Sequence, residues 1–261
     1  MRWWVVPTLS SPLRFPSDKT KGASTIAGLL PRGVKKVCSP FFGGGSVELA
    51  IASKGIQVDA YSDYYLLCEF WNCLIENPLI LVSMIKHYYP MKDQKLFHYI
   101  QENLSTPRDA FMRAAQFYVL NRCSEGGEVS SGRLVRNHPK FTPFGMKKLL
   151  LFEVDNFAVG YSGSYKETIS QHADAFLLCC PPKFESFYGG LQTGTNIPER
   201  PKIDHEELCS ILTQKNNWIL SYNYHPKLLT MYTDVPYKLF KSNFRPAQDA
   251  DSAKEIVFIK N

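Results

Sequence analysis

The chain has 261 residues, 44% of them hydrophobic, which is room and material for one large α/β domain with an inserted lobe. A net charge of +6 and a pI of about 8.8 suit contact with phosphates but do not demand it. No run reaches the roughly 18 apolar residues of a membrane span, and the apolar start MRWWVVPTL is broken by Pro7 with no small-residue cleavage site behind it, so neither a span nor a signal peptide is expected.

Residues 20–30 carry a helical pattern, ended by Pro31 and Gly33. Residues 34–38 are a short apolar-ended run and read as the first strand of a sheet. That strand enters SPFFGGGS, residues 39–46, and then VELAIASKG, a helix through Ser53 closed by Gly55. Such a loop lets the backbone approach a ligand closely, because glycine lacks a Cβ and tolerates positive φ. At the carboxyl edge of an open α/β sheet it would cradle a nucleotide-like cofactor; a tight turn with no ligand has the same signature. It is neither the GxGxxG fingerprint nor a P-loop, since no Gly-Lys-Ser/Thr follows. Residues 57–61 read as the second strand. Asp63 lies just past its end, where nucleotide-binding sheets hold a ribose hydroxyl.

Residues 64–103 have helical periodicity broken at Pro78 and Pro90, and residues 107–120 form a further helix. Residues 121–143 are polar, basic and glycine-bearing, and read as a hairpin or loop. Lys35, Lys36, Arg108, Arg113, Arg122, Arg133, Arg136, Lys140, Lys147 and Lys148 gather largely in the middle of the chain, although a solvated surface would look alike. Residues 175–179 are a strand that runs into Cys180-Pro181-Pro182-Lys183. Two prolines fix φ and remove two donors, so the strand stops there and leaves a rigid, extended platform. A Pro/Gly-bearing loop follows at 189–202, and residues 218–223 and 255–259 are the last expected strands. The seven cysteines are irregularly spaced, lie mostly in apolar runs, form no Cys-x-x-Cys pair and do not cluster with histidines. Buried free thiols in a reducing cytoplasm, and no metal site, are the expectation.

A strand entering a glycine loop, followed by a strand entering X-Pro-Pro-X, resembles the Dam-like DNA adenine-N6 methyltransferases. In that family the first loop reads roughly Glu/Asp-Pro-Phe-x-Gly-Gly-Gly-Ser and the second Asp-Pro-Pro-Tyr. PLRFPSDKTK near the start is similar to the family's Pro-Leu-Arg-Tyr-Pro-Gly-Gly-Lys. The stretch at 60–78, the Asn-Arg-rich region at 117–145, Asp155-Asn156-Phe157, residues 205–232 and the closing EIVFIKN complete an order that covers nearly the whole chain.

The resemblance implies a Rossmann-like, S-adenosylmethionine-dependent methyltransferase sheet with an inserted, mainly helical target-recognition lobe. Residues 1–62 and 150–261 would form the catalytic, cofactor-binding domain, and residues 63–149 the lobe. It implies that S-adenosylmethionine is held by Lys19, Pro40, Phe41, Phe42, Gly43, Gly44, Gly45, Asp63, Asp155 and Phe157. Cys180, Pro181, Pro182 and Lys183 would stand at the catalytic positions. Asn121, Arg122, Arg133, Arg136 and Lys140 would face double-stranded DNA, with a monomer as the default state.

Three departures fall at these positions. Ser39 replaces the acidic residue before Pro-Phe, Ser17 and Asp18 replace two glycines, and Cys180 and Lys183 replace the Asp and Tyr of Asp-Pro-Pro-Tyr. In the family that aspartate accepts from the adenine amino group and the tyrosine stacks on the flipped base. A neutral thiol is a poor acceptor, and a lysine donates only and has no π-face. Three readings therefore stand at this stage: an adenine methyltransferase with a divergent motif, an inactive relative that keeps DNA binding, and a relative with altered chemistry. Cys180 could be a nucleophile in the last, or simply a small apolar filler at a strand end.

Overall fold

The computed structural model describes residues 10–15, 19–184 and 203–261. The apolar start, the replaced glycine positions 17 and 18, and the loop expected at 189–202 lie outside these residues. Strands β1 (Lys36–Ser39), β2 (Gln57–Ser62), β3 (Phe157–Tyr161), β4 (Phe176–Cys179), β5 (Trp218–Asn223), β6 (Tyr237–Phe240) and β7 (Glu255–Lys260) form one sheet in the order β3-β2-β1-β4-β5-β7-β6. Neighbouring strands among β1–β5 are parallel, and β7 runs antiparallel to both β5 and β6.

The central strands are apolar without alternation because both faces are covered. Val37 and Leu178 face one core, shared with α1 (Ala23–Gly28), α2 (Ser46–Ala52) and α3 (Tyr65–Glu76). Cys38, Leu177, Cys179 and Leu220 face the other, closed by Ile169 of α8 (Tyr165–Gln171), Leu208 of α9 (His205–Thr213) and Leu228 of α10 (Pro226–Met231). The chain leaves β1 for β2 on one side, whereas β4 lies on the other. A topological switch point therefore falls between β1 and β4, and ligands of open α/β sheets bind at the carboxyl ends of the strands there.

Between β2 and β3 the chain builds α3, α4 (Pro78–Lys86), α5 (Gln94–Glu102), α6 (Ala110–Cys123) and α7 (Pro143–Leu150). The expected breaks have local causes. Asn77 caps α4 by accepting from the Ile80 amide at 3.1 Å, with Pro78 at the first helical position, and α3 and α4 meet at 115°. Asp93 and Asp109 cap α5 and α6 in the same way. Helix α3 serves both halves of the molecule. Trp71 packs on Phe157 of the sheet, while Phe70 stacks on Tyr118 of α6 at 5.7 Å and Glu69 receives Arg113 of α6 through two nitrogens.

Strands β3 and β6 were not among the expected elements. β3 carries Gly160, which weakens a strand signal, and β6 is an edge strand with Tyr237 and Lys238 turned to solvent. The first helix opens as a tight 3₁₀ turn at Thr20–Gly22, and α6 continues to Cys123, three residues beyond its expected end at 120. No single helix among the described residues is long and apolar enough to cross a membrane.

Candidate active site

The glycine loop leaves β1 at the switch point. Gly45 caps α2 in the left-handed conformation, φ +81, and a Cβ there would stand 3.0 Å from the Trp71 ring. An L-residue at this position would be strained and crowded, which is why glycine occupies it. Phe42 is buried, donates its amide to the Tyr61 carbonyl at 2.8 Å and packs edge-on against Trp71 and Phe157. The loop is thus anchored from below. Pro40 is buried, and the half-exposed Phe41 lies 5.2 Å from the Tyr165 ring. Ser39, standing where the family has an acid, donates at 2.7 Å to the buried carboxylate of Glu48 on α2. An acidic group is therefore still present beside the loop, supplied from the helix.

The platform leaves β4 at the same edge. Pro181 is buried, Cys180 and Pro182 are half-buried and Lys183 is exposed. Its far end is fastened by Asn223, the last residue of β5, whose Oδ1 accepts from the Phe184 amide at 2.8 Å. Asn223 pairs in register with Glu255 of β7, and Glu255 receives Lys19 Nζ at 2.6 Å. Lys19 is mostly enclosed, with its ammonium 6.0 Å from the Phe244 ring centre. Lys19, Glu255, Asn223 and the platform therefore share the carboxyl edge. The sequence reading missed Asn223 and Glu255. Their signal was the end of one strand and the start of the next antiparallel one, which becomes informative only once the two are paired. Burial pushes the neighbouring thiols up, Cys38 to about 12 and Cys179 well above its ordinary value, so both are inert at neutral pH.

Asp63 sits half-buried one residue past β2, on the same edge as the glycine loop. Asp155 does not. It precedes β3, and β3 is parallel to β2 with Val58 opposite Phe157. It therefore lies before the amino end of β3, and the four residue steps of that strand alone put about 13 Å, at roughly 3.3 Å per residue, between that end and the crevice. Phe157 is core, wedged under Phe42 and Trp71. Both expected cofactor contacts are corrected accordingly. The turn that does reach the crevice from β3 is residues 162–165, where Ser164 caps α8.

The basic segment divides into two groups. Asn121 is buried; its Oδ1 accepts from the Arg14 amide at 2.8 Å, and its Nδ2 donates to the carbonyls of Arg14 at 2.7 Å and Gly127 at 2.9 Å. Arg122 donates to the carbonyls of Lys140 and Pro12. These two, expected against DNA, fasten backbone instead. Arg113 is likewise occupied with Glu69. A hairpin follows α6, closed by the Ser124–Leu134 bridge and by Glu125 N to Arg133 O and Val135 N to Cys123 O, both 2.8 Å. From it and the turn behind it, Arg133, Arg136 and Lys140 are exposed. Among the described residues no cluster of three or more His, Cys, Asp or Glu is arranged to hold a metal.

Residues 18–133 match the family model described as D12 class N6 adenine-specific DNA methyltransferase. No curated protein matches the chain. The matched stretch takes in Lys19, the glycine loop, Asp63 and the helices through α6, and ends at Arg133, before the Cys180 platform. Over that stretch, which is less than half of the chain, the sequence is similar to the D12 class of N6 adenine-specific DNA methyltransferases.

Proposed function

We propose that the protein transfers a methyl group from S-adenosylmethionine to N6 of an adenine turned out of duplex DNA. The observation that carries this reading is the meeting of the glycine loop and the Cys180–Lys183 segment at one switch point, between β1 and β4. The residues fit the cofactor: the glycine backbone allows close approach, and Asp63 stands where a ribose diol is held. When bound, the cofactor supplies an electrophilic methyl on a sulfonium; transfer leaves a thioether and methylated adenine, with one amino proton passing to water.

The chain's contribution is positional. The glycine loop and Asp63 hold the donor, and the platform, fixed by Asn223, carries the base. Lys19, held by Glu255, lies beside them. Turning the base out costs a few kcal/mol, on the order of one unpaired and unstacked step. Proximity and orientation provide most of the acceleration. Residues 63–149 act as the recognition lobe on a catalytic unit of residues 1–62 and 150–261, with Arg133, Arg136 and Lys140 on DNA phosphates. A second reading, binding without efficient adenine methylation, is favoured by Cys180 and Lys183 alone.

Calorimetry with S-adenosylhomocysteine tests the cofactor site. The native protein should bind it, and Asp63→Ala should weaken binding by about 1.5–3 kcal/mol, the scale of a hydrogen bond to a charged group. A native protein that binds none contradicts the reading.

A further inference from the structure

We propose that residues 12–15 form a strap that makes cofactor binding and DNA binding mutually dependent, with Arg14 and Asn121 as its positioning residues. The proposal rests on the reading above, in which the glycine loop takes the cofactor and the basic hairpin takes DNA.

One end of the strap bears on the cofactor loop. The Phe15 ring lies so close over Gly43 that a Cβ there would stand 2.7 Å from Phe15 Cε1. The other end is built into the recognition lobe. The Arg14 backbone is gripped on both polar atoms by Asn121, at 2.8 and 2.7 Å. Its carbonyl nestles against Gly127, φ +85, where a Cβ would stand 2.5 Å from the Arg14 oxygen. Its guanidinium donates to the Ser124 carbonyl at 2.7 Å and faces His138 Nε2 at 3.0 Å. Two residues earlier in the chain, Arg122 joins the Pro12 carbonyl at 3.0 Å to that of Lys140 at 2.8 Å.

Arg14 and Phe15 are adjacent, so one peptide separates the grip on the hairpin from the ring on the glycine loop. Phosphates held by Arg133, Arg136 and Lys140 fix the hairpin, and a fixed hairpin fixes the strap. A cofactor in the glycine loop bears on the same strap from its other end, through the Phe15 ring over Gly43. Each ligand thus sets the position of the seat of the other, which is positive coupling, and such coupling is reciprocal.

The test measures both affinities with and without the other ligand. S-adenosylhomocysteine, which has no methyl to give, and a short mixed-sequence duplex are the probes. In the native protein, saturating duplex should tighten S-adenosylhomocysteine within the range of about 5–150-fold, and the converse factor should be equal. In Asn121→Ala the factor should fall towards one, with the affinity for S-adenosylhomocysteine alone kept at the native value. Arg14→Ala, which removes the guanidinium contacts to Ser124 and His138, should lower the factor as well and covers the case in which Asn121→Ala fails to fold. Two ligands that bind the native protein independently, or a factor unchanged in the folded variants, overturn the strap alone. A native protein that binds no S-adenosylhomocysteine removes the underlying cofactor reading, and the strap with it.

Discussion

At the scale of single residues, the chain places its chemistry differently from its motifs. Ser39 is not simply a lost acid, because it donates to the buried Glu48. Asn121 and Arg122 have the composition of DNA contacts but the geometry of fasteners. No sequence pattern separates those roles, since burial and hydrogen-bond partners depend on a segment more than a hundred positions away. His138 offers a test by pH. Its pKa is lowered by burial first, then by Arg14, Arg122 and Lys140 around it. The folded state therefore favours the neutral ring, and stability linked to this residue is present at pH 7 and lost as pH falls below about 6.5, the unfolded value. Thermal melting should show the native protein losing more stability than His138→Gln between neutral and mildly acid pH. Equal losses would contradict that account.

At the scale of elements, the readable parts were those whose cause is local. Three glycines between strand and helix, the prolines that break the helices at 78 and 90, and a Pro-Pro stop each act within a few residues, and the elements they bound stand close to where the sequence places them. Asp155 was misjudged for the opposite reason. Its motif was legible but the strand beside it was not, and without the direction of β3 nothing told which edge of the sheet it occupied. The glycine loop gives a sharper prediction. Gly45 and Gly55 both adopt positive φ, but only Gly45 has the Trp71 ring within 3.0 Å of a Cβ. Gly55→Ala should cost about 1–2 kcal/mol for the left-handed backbone. Gly45→Ala should cost more and should also weaken cofactor binding. Denaturant titration of the two variants checks the order, and equal costs would mean that the loop accommodates a side chain.

At the scale of the whole molecule, an α/β sheet carries the crevice, a helical insertion seated on α3 carries the exposed cations, and residues 12–15 join them. If Arg133 and Arg136 contact phosphates, changing both to Gln should reduce the salt slope of duplex affinity by about 2, near 0.9 per phosphate contact. An unchanged slope would move the DNA surface elsewhere. The proposed adenine-N6 transfer at the switch point, with Cys180 and Lys183 limiting its rate, is tested by incubation with methyl-labelled S-adenosylmethionine and duplex DNA, followed by digestion to nucleosides. Label should appear in N6-methyldeoxyadenosine, slowly with the native protein and faster with Cys180→Asp combined with Lys183→Tyr, which restores an ionised acceptor and a stacking face worth about 1–3 kcal/mol. Label on another base, or none from either protein, would contradict it.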